Sequence, residues 1–549
     1  MGADVLLVLG LATVLSVLVY KWTNRRFLKL AEQWPGPPGW PLVGNALEFI
    51  GTPNRIFETL CEYSQTLDDL ARVWVGPRLL LFIYHPADIE LILSSHEHLD
   101  KSVEYDFLRP WLGNGLLTST GDKWKSHRRV IAPTFHLNVL RGFIGKFNEN
   151  GKEVVRKMKQ ERGNLFDAHD YMSECTVRTL LETVMGFKIE TTKERKCYDY
   201  AMAVMKLCDI IHLRHMKGWL RPNMLFKLSH YNVMQKDLLS VVHGITQKVF
   251  SIKRSDLKHR TDNERNSTQK AELGVQLKND EKLQTISSEL GFSFGQASGL
   301  RDDLDTEDIG EKKRGAFLET IMEKAQNEEA FDYQEVQEQL DTIMFEGHDT
   351  TAAASSFFLC VMAARPDIQE KCFSELYGIF GDSDRDVTFQ DTMEMKYLER
   401  CMMETLRLYP PVPAIARRVN REVKLASRDL TIPAGSTVIV ATYALHRRSD
   451  IYPNPEEFNP DNFLPEKSAS RHFYSFIPFS AGPRSCVGRK YAMLKLKIIL
   501  ATILRNFRIQ PGLKEEDWKF QADIIFKRAD GFKINIESRT VDPTKNNST

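Results

Sequence analysis

Apolar residues along this chain follow three patterns, and each predicts a different kind of element. Residues 5–20 (VLLVLGLATVLSVLVY) are one uncharged run. As a helix rising ~1.5 Å per residue the run reaches about 24 Å, a little short of the ~30 Å hydrocarbon core, and Trp22 can extend it into the interface. Asp4 precedes the run, whereas Lys21, Arg25, Arg26 and Lys29 follow it. A cleaved leader wants the opposite order, so the pattern predicts an uncleaved single-pass anchor with the body of the protein on the cytosolic side.

Residues 35–41 (PGPPGWP) come next. Each proline fixes its own φ and biases its predecessor to extended backbone, which makes a stiff non-helical spacer. Beyond it most of the chain repeats its apolar residues at helical spacing, while β-branched runs at 72–84 and 430–440 read as strands near turn signals. The expected fold class is therefore mainly α with a minor β region. The expected order is an anchor over 1–22, a basic, Pro-rich linker over 23–45 and a single body over 46–549.

The third pattern is a loss of apolar residues. From about 258 to 313 the chain turns polar and charged, with too few large apolar side chains to order itself, and reads as a surface insertion. A short island, LGFSFG at 290–295, breaks that polarity and can dock on the body or on a partner. No internal repeat is present.

Composition narrows the function classes. Lys and Arg total 74 against 73 Asp and Glu, a net charge of +1, so the chain is not built to coat a polyanion and no nucleic-acid partner is expected. With 42% hydrophobic and 27% charged residues it is neither disordered nor a multi-span membrane protein. The eight cysteines show no C-x-x-C pair, which excludes a zinc module or a disulfide framework. Seven read as small buried hydrophobes. The sequons at Asn266 and Asn547 stay bare if the body is cytosolic.

Cys486 differs because of its surroundings, FSAGPRSCVG at 479–488, followed at once by the helical RKYAMLKLKIILATIL. A cysteine ahead of a helix, flanked by Gly482 and Gly488, lies where backbone N–H groups and the helix dipole favour an anion. Thiolate-ligated haem is biased toward O–O cleavage, Phe479 can shield the sulfur, and Arg484 can reach a carboxylate of the macrocycle.

The F-x-x-G-x-R-x-C-x-G spacing resembles that of the cytochrome P-450 monooxygenases, and the resemblance extends over about residues 35–540. It implies that family's haem-thiolate fold, with Cys486 as axial ligand to the iron of haem b. Glu404-Thr-Leu-Arg407 matches the family's buried, structural E-x-x-R. The third partner of that group is an arginine in the family, whereas this chain has Asn462, which implies a neutral hydrogen-bonding version. Trp124 and Arg128 match a W-x-x-x-R segment used on a haem propionate. Arg417 or Arg418, with Arg417 preferred, resembles the other propionate contact.

LDTIMFEGHDTT at 340–351 looks like the family's oxygen-activation helix. Gly347 leaves room for a small ligand, and Asp349 beside Thr350 supplies an acid and an alcohol, the pair that proton delivery requires. In family 4 a glutamate in this context, here Glu346, can become ester-linked to a haem methyl. PWLGNGLL at 110–117, APTFHLN at 132–138, the polar insertion and the residues after Cys486 look like the insect G subfamily of family 4. Its members convert long-chain fatty aldehydes to hydrocarbons with loss of the carbonyl carbon, in cuticular hydrocarbon synthesis.

The resemblance further implies electrons from NADPH through a separate NADPH-cytochrome reductase, cytochrome b5 as a second partner, a long-chain lipid substrate, and residence in the endoplasmic reticulum membrane with the catalytic domain facing the cytosol. Two other readings use the same residues. One is ω-hydroxylation of fatty acids, related lipids or xenobiotics; the other is a haem-binding sensor or carrier without turnover.

Overall fold

In the computed structural model, which describes residues 2–67, 69–188, 195–266, 294–296, 315–327 and 330–539, one 32-residue helix, Tyr333–Ala364, organises the body. Asp332 and Glu335 close a capping box at its start, each side chain taking the other's backbone N–H. At ~1.5 Å per residue it runs about 48 Å through the interior. Nearly its whole second half is buried, and the small residues Ala352, Ala353, Ala354, Ser355 and Ser356 let neighbouring helices approach closely.

Ala168–Glu182 packs along one side of this helix, and Arg489–Asn506 packs on Ile144–Met158. Gly151 lies where a Cβ would stand 3.4 Å from the Thr502 hydroxyl, so the two helices meet nearly backbone to backbone. The larger core cluster joins these helices through Phe147, Phe357, Phe358 and Ile498.

Strands in the two expected regions are joined by an unexpected one, Ile415–Arg418, in a four-stranded sheet of order Leu70–Val75, Arg78–Ile83, Thr437–Val440, Ile415–Arg418. The middle pair is parallel, with Leu80 opposite Thr437, and the outer pairs are antiparallel. A second core cluster under the sheet contains Leu81, Ile83, Val438 and Val440. The proline-rich spacer lies against this sheet. Trp34 is buried and donates its indole N–H to the Thr431 carbonyl at 3.1 Å. Arg72 N–H reaches the Pro35 carbonyl at 2.7 Å. Gly36 and Gly44 make the approach possible, because a Cβ at either would run into the Arg72 or the Trp74 carbonyl.

Two linked expectations are corrected. The run at 5–20 lies within the helix Gly2–Thr23, but among the described residues no helix is long and apolar enough to cross a membrane. The membrane anchor in the expected fold class and the endoplasmic reticulum membrane address built on it are therefore withdrawn. The physical reason is length: the uncharged stretch reaches about 24 Å of ~30 Å, and Asp4 and Lys21 fall inside the helix itself. Of the insertion at 258–313, the helix His230–Asn266 takes in the first residues and the turn at 294–296 is described. The rest, like Asn547, lies outside the described residues.

Candidate active site

A cavity of about 520 Å³ lies between the central helix and the loop before Arg489–Asn506. Cys486, Phe479, Arg484 and Gly488 line it from the loop, Glu346, Gly347 and Thr350 from the helix, and Trp124 and Arg128 from the helix Gly121–Ile131.

The loop is built by its own backbone. Ser480 N–H bonds to the Ile477 carbonyl at 3.0 Å, Ser485 N–H to Gly482 at 2.9 Å, and Cys486 N–H to Phe479 at 2.9 Å. Gly482 has φ +71°, and a Cβ there would strike the Leu93 carbonyl, so only glycine fits. This hairpin leaves the Cys486 side chain exposed to the cavity, although the position is deep in the protein. Of the other seven cysteines six are buried and Cys61 is half-buried.

Gly488 caps the following helix, and its N–H donates to the sulfur. Burial nonetheless pushes the Cys486 thiol up to about 11, with Glu346 adding to the shift; the Gly488 N–H, Arg128 and Arg489 oppose it. Loop and helix terminus do not ionise the sulfur unaided, whereas a coordinated metal deprotonates a thiol outright.

Cations crowd one side of the cavity. Arg484 lies 4.4 Å over the Trp124 ring and donates Nη2 to the Ser119 carbonyl, while its Nε and Nη1 are buried without a hydrogen-bond partner. Burial, and next the Arg417 charge, pull its guanidinium down to about 9. Arg417 is buried just behind the wall, where Tyr105 faces it, and burial lowers its value too. Arg128 donates Nη1 to the Ser485 carbonyl at 2.8 Å, tying the helix to the cysteine loop. Lys101, paired through its backbone with Arg417, completes the group, its ammonium held well below the usual lysine range by burial and then by Arg417 and Arg484.

Glu346 is a carboxylate that these charges act on inside the cavity, while Asp100 acts on Arg484. Burial raises Glu346 to about 7, against the pull of Lys101, Arg128 and Arg484. The unpartnered Arg484 Nε and Nη1, with Arg128 in the lining and Arg417 and Lys101 beside it, fit a ligand that carries carboxylates, and a thiol in the same cavity fits an iron-bearing one. The residues present suit haem.

The central helix departs from expectation at two positions. A Cβ added at Gly347 would lie 2.8 Å from Leu180 Cδ2, so the glycine admits that neighbouring helix as well as lining the cavity. Asp349 and Thr350 face different ways, as adjacent helical residues do. Thr350 lines the cavity and donates its hydroxyl to the Glu346 carbonyl at 2.7 Å. Asp349 is fully buried off the cavity and paired with Lys527 at 3.5 Å. Despite burial, Lys527, His348 and His169 hold its carboxyl below the usual range.

Sequence reasoning missed Lys101, Lys527 and Lys495. Lys495 is buried in the helix after Cys486, pulled down to about 7 by burial, and donates to the Thr351 hydroxyl at 3.0 Å. No local signal marks these lysines; burying apolar faces brings them to partners far along the chain.

Glu404 and Arg407 are fully buried and bidentate at 2.7 and 2.8 Å. The Asn462 amide donates to Glu404 at 3.1 Å, and Arg407 spends its remaining N–H groups on the carbonyls of His446, Pro455 and Glu457. The pair lies away from the cavity and fastens the segment around 446–462.

Comparison with known proteins decides the family. A model described as Cytochrome P450 matches residues 35–291 and 298–536. This chain belongs to the cytochrome P450 family. The P450 is 51% identical to Cytochrome P450 4g15 of Drosophila melanogaster, covering 96% of each chain. It is 45% identical to Cytochrome P450 4g1 of the same fly, over 98% of this chain and 95% of that one. It is 33% identical to human Cytochrome P450 4V2, over 98% and 96%. It is an oxidoreductase, a monooxygenase that works with haem b and electrons from NADPH, and the general partner of such a P450 is its reductase.

Proposed function

We propose that this P450 oxidises long-chain fatty aldehydes to hydrocarbons with loss of the carbonyl carbon. The observation that carries the site is the shared cavity: the Cys486 thiol, the raised Glu346 carboxyl, the Thr350 hydroxyl and the Arg128 and Arg484 guanidiniums line the same space. Cys486 would hold the iron, with Phe479 and Gly488 shaping the sulfur's surroundings. Trp124, Arg128, Arg417 and Arg484 would hold the two carboxylates of the macrocycle, with Lys101 beside them. Haem bound there supplies reductive activation of dioxygen at a thiolate-ligated iron.

The chain's own residues manage position and protons. Thr350 presents a hydroxyl to the cavity and would pass protons; Asp349, ionised beside Lys527, would act as a relay that takes up and hands on a proton only after turning from that lysine. Glu346, next to the cation cluster, would form an ester with the macrocycle and pin it. Leu108, Leu116, Ile343, Phe49, Leu80 and Phe82 would hold an extended apolar chain, and Met216 and Gly218 also line the cavity, next in sequence to the exposed Trp219.

The substrate class is supported by the 4g relatives and by the subfamily resemblance of the motifs, and the apolar lining accommodates it. Cytochrome b5 would serve as a second electron donor. Incubating the protein with reductase, NADPH and a labelled long-chain aldehyde is expected to yield a hydrocarbon one carbon shorter. Only ω-hydroxylated products would replace this reading with fatty-acid hydroxylation, and absence of substrate-dependent NADPH oxidation would leave a sensor or carrier.

A further inference from the structure

In the polar stretch at 258–313, past the end of the helix His230–Asn266, the described residues Phe294, Gly295 and Gln296 are all buried. They form a turn in which Phe294 has φ 50° and Gly295 φ 73°. A phenylalanine in the left-handed region crowds its own carbonyl and persists only where surrounding packing over-determines it.

That packing is the cysteine segment. A Cβ on Gly295 would stand 2.6 Å from Cε2 of Phe479 and 2.9 Å from the Met493 sulfur. The Lys490 ammonium lies 5.8 Å over the Phe294 ring. Phe479 is the residue whose carbonyl accepts the Cys486 N–H, and Lys490 and Met493 open the helix that follows the sulfur. The tripeptide therefore touches the segment that carries Cys486 on both of its sides.

We propose that Phe294-Gly295-Gln296 is a wedge that positions the Phe479 ring and so keeps water from the Cys486 sulfur. These are positioning residues, acting through Phe479, and the inference rests on Cys486 being the haem ligand. Donation from a thiolate to iron depends on its hydrogen bonds and solvent exposure. A Phe479 ring kept in place by Gly295 would exclude water from the sulfur; a ring pushed aside would admit water, which protonates the sulfur and releases hydroxide, with no electron transferred. The turn at 294–296 is thereby tied to the chemistry of the site, although none of its three residues lines the cavity.

The test uses the full-length, haem-loaded protein and the red-shifted band of its reduced carbon monoxide complex, which reports an ionised sulfur on iron. In mild urea the band should decay to the thiol form about tenfold faster in Gly295→Ala than in wild type, and faster again in Gly295→Val. Phe294→Leu, which keeps bulk and removes the ring under Lys490, should also accelerate the decay without moving the glycine. Phe479→Leu deletes the Cε2 that the added methyl strikes, so Gly295→Ala should lose most of its effect in that background. Decay at the wild-type rate in both Gly295→Ala and Phe294→Leu overturns the wedge, as does an undiminished Gly295→Ala effect beside Leu at 479. A wild type without the red-shifted band overturns the assignment of Cys486 instead.

Discussion

Asp349 and Lys527 form a buried ion pair at 3.5 Å, on a face of the central helix that turns away from the cavity lined by the next residue, Thr350. The acid of the expected pair is thus held ionised by a lysine of the strand Phe526–Arg528, near the end of the chain.

Asp349→Asn should affect stability and turnover separately. It leaves the Lys527 ammonium buried with its main counter-charge gone, which costs about 3–5 kcal/mol. Combining it with Lys527→Met should recover most of the melting temperature, whereas product formation stays at least ~10-fold below wild type if Asp349 feeds protons. Recovery of turnover along with stability would assign the aspartate a purely structural role. Because the Asp349 carboxyl lies below the ordinary range, its stabilising contribution is complete above about pH 4 and disappears as pH falls through its folded value. Wild type should therefore lose more stability below that pH than the double variant, as read by urea titration.

Glu346 titrates in the opposite sense. Burial raises it to about 7, so the folded haem-free protein holds this proton better than the unfolded chain does. Stability should fall as pH rises from about 4.5 to 7, by no more than about 3 kcal/mol and by less where cavity water screens the carboxylate. Glu346→Gln should flatten that slope in melts of haem-free protein. In the haem-loaded enzyme after turnover, denaturing mass spectrometry should find haem on the wild-type chain and free haem from Glu346→Ala.

Arg484→Gln removes a buried guanidinium whose charge is opposed by burial and by Arg417. Haem-free protein should become more heat-stable, while haem should escape to an excess of acceptor globin about tenfold faster, one charge-assisted contact being lost. Faster escape without any gain in haem-free stability would mean that the buried Arg484 charge is no cost to the haem-free fold.

Glu404→Ala should cost about 3–5 kcal/mol, because it strands the fully buried Arg407 charge. Asn462→Ala removes one hydrogen bond of several to that carboxylate and should cost about 1 kcal/mol. Chemical denaturation of the haem-loaded protein distinguishes the two, and comparable losses would make the asparagine as important to this cluster as the ion pair.

What could be read without coordinates was whatever neighbours along the chain encode. The cysteine hairpin needs its glycines at fixed offsets, a Glu and an Arg three apart share a helix face, and β-branched runs between turn residues pair as strands. The mainly α class, the strands near 72–84 and 430–440, and the separate standing of Cys486 among the cysteines followed from such short-range rules. The anchor failed on the same arithmetic that raised it, a 24 Å run set against ~30 Å.

The tertiary structure decided everything that depends on which faces meet. It turned Asp349 toward Lys527 and Thr350 toward the cavity, set Leu180 against Gly347, laid the proline-rich spacer on the sheet, gathered Lys101, Arg417 and Arg484, and seated Gly295 on Phe479. Such contacts join residues hundreds of positions apart. Close packing of apolar faces selects them, and the ion pairs and orphaned charges fall where that packing leaves them.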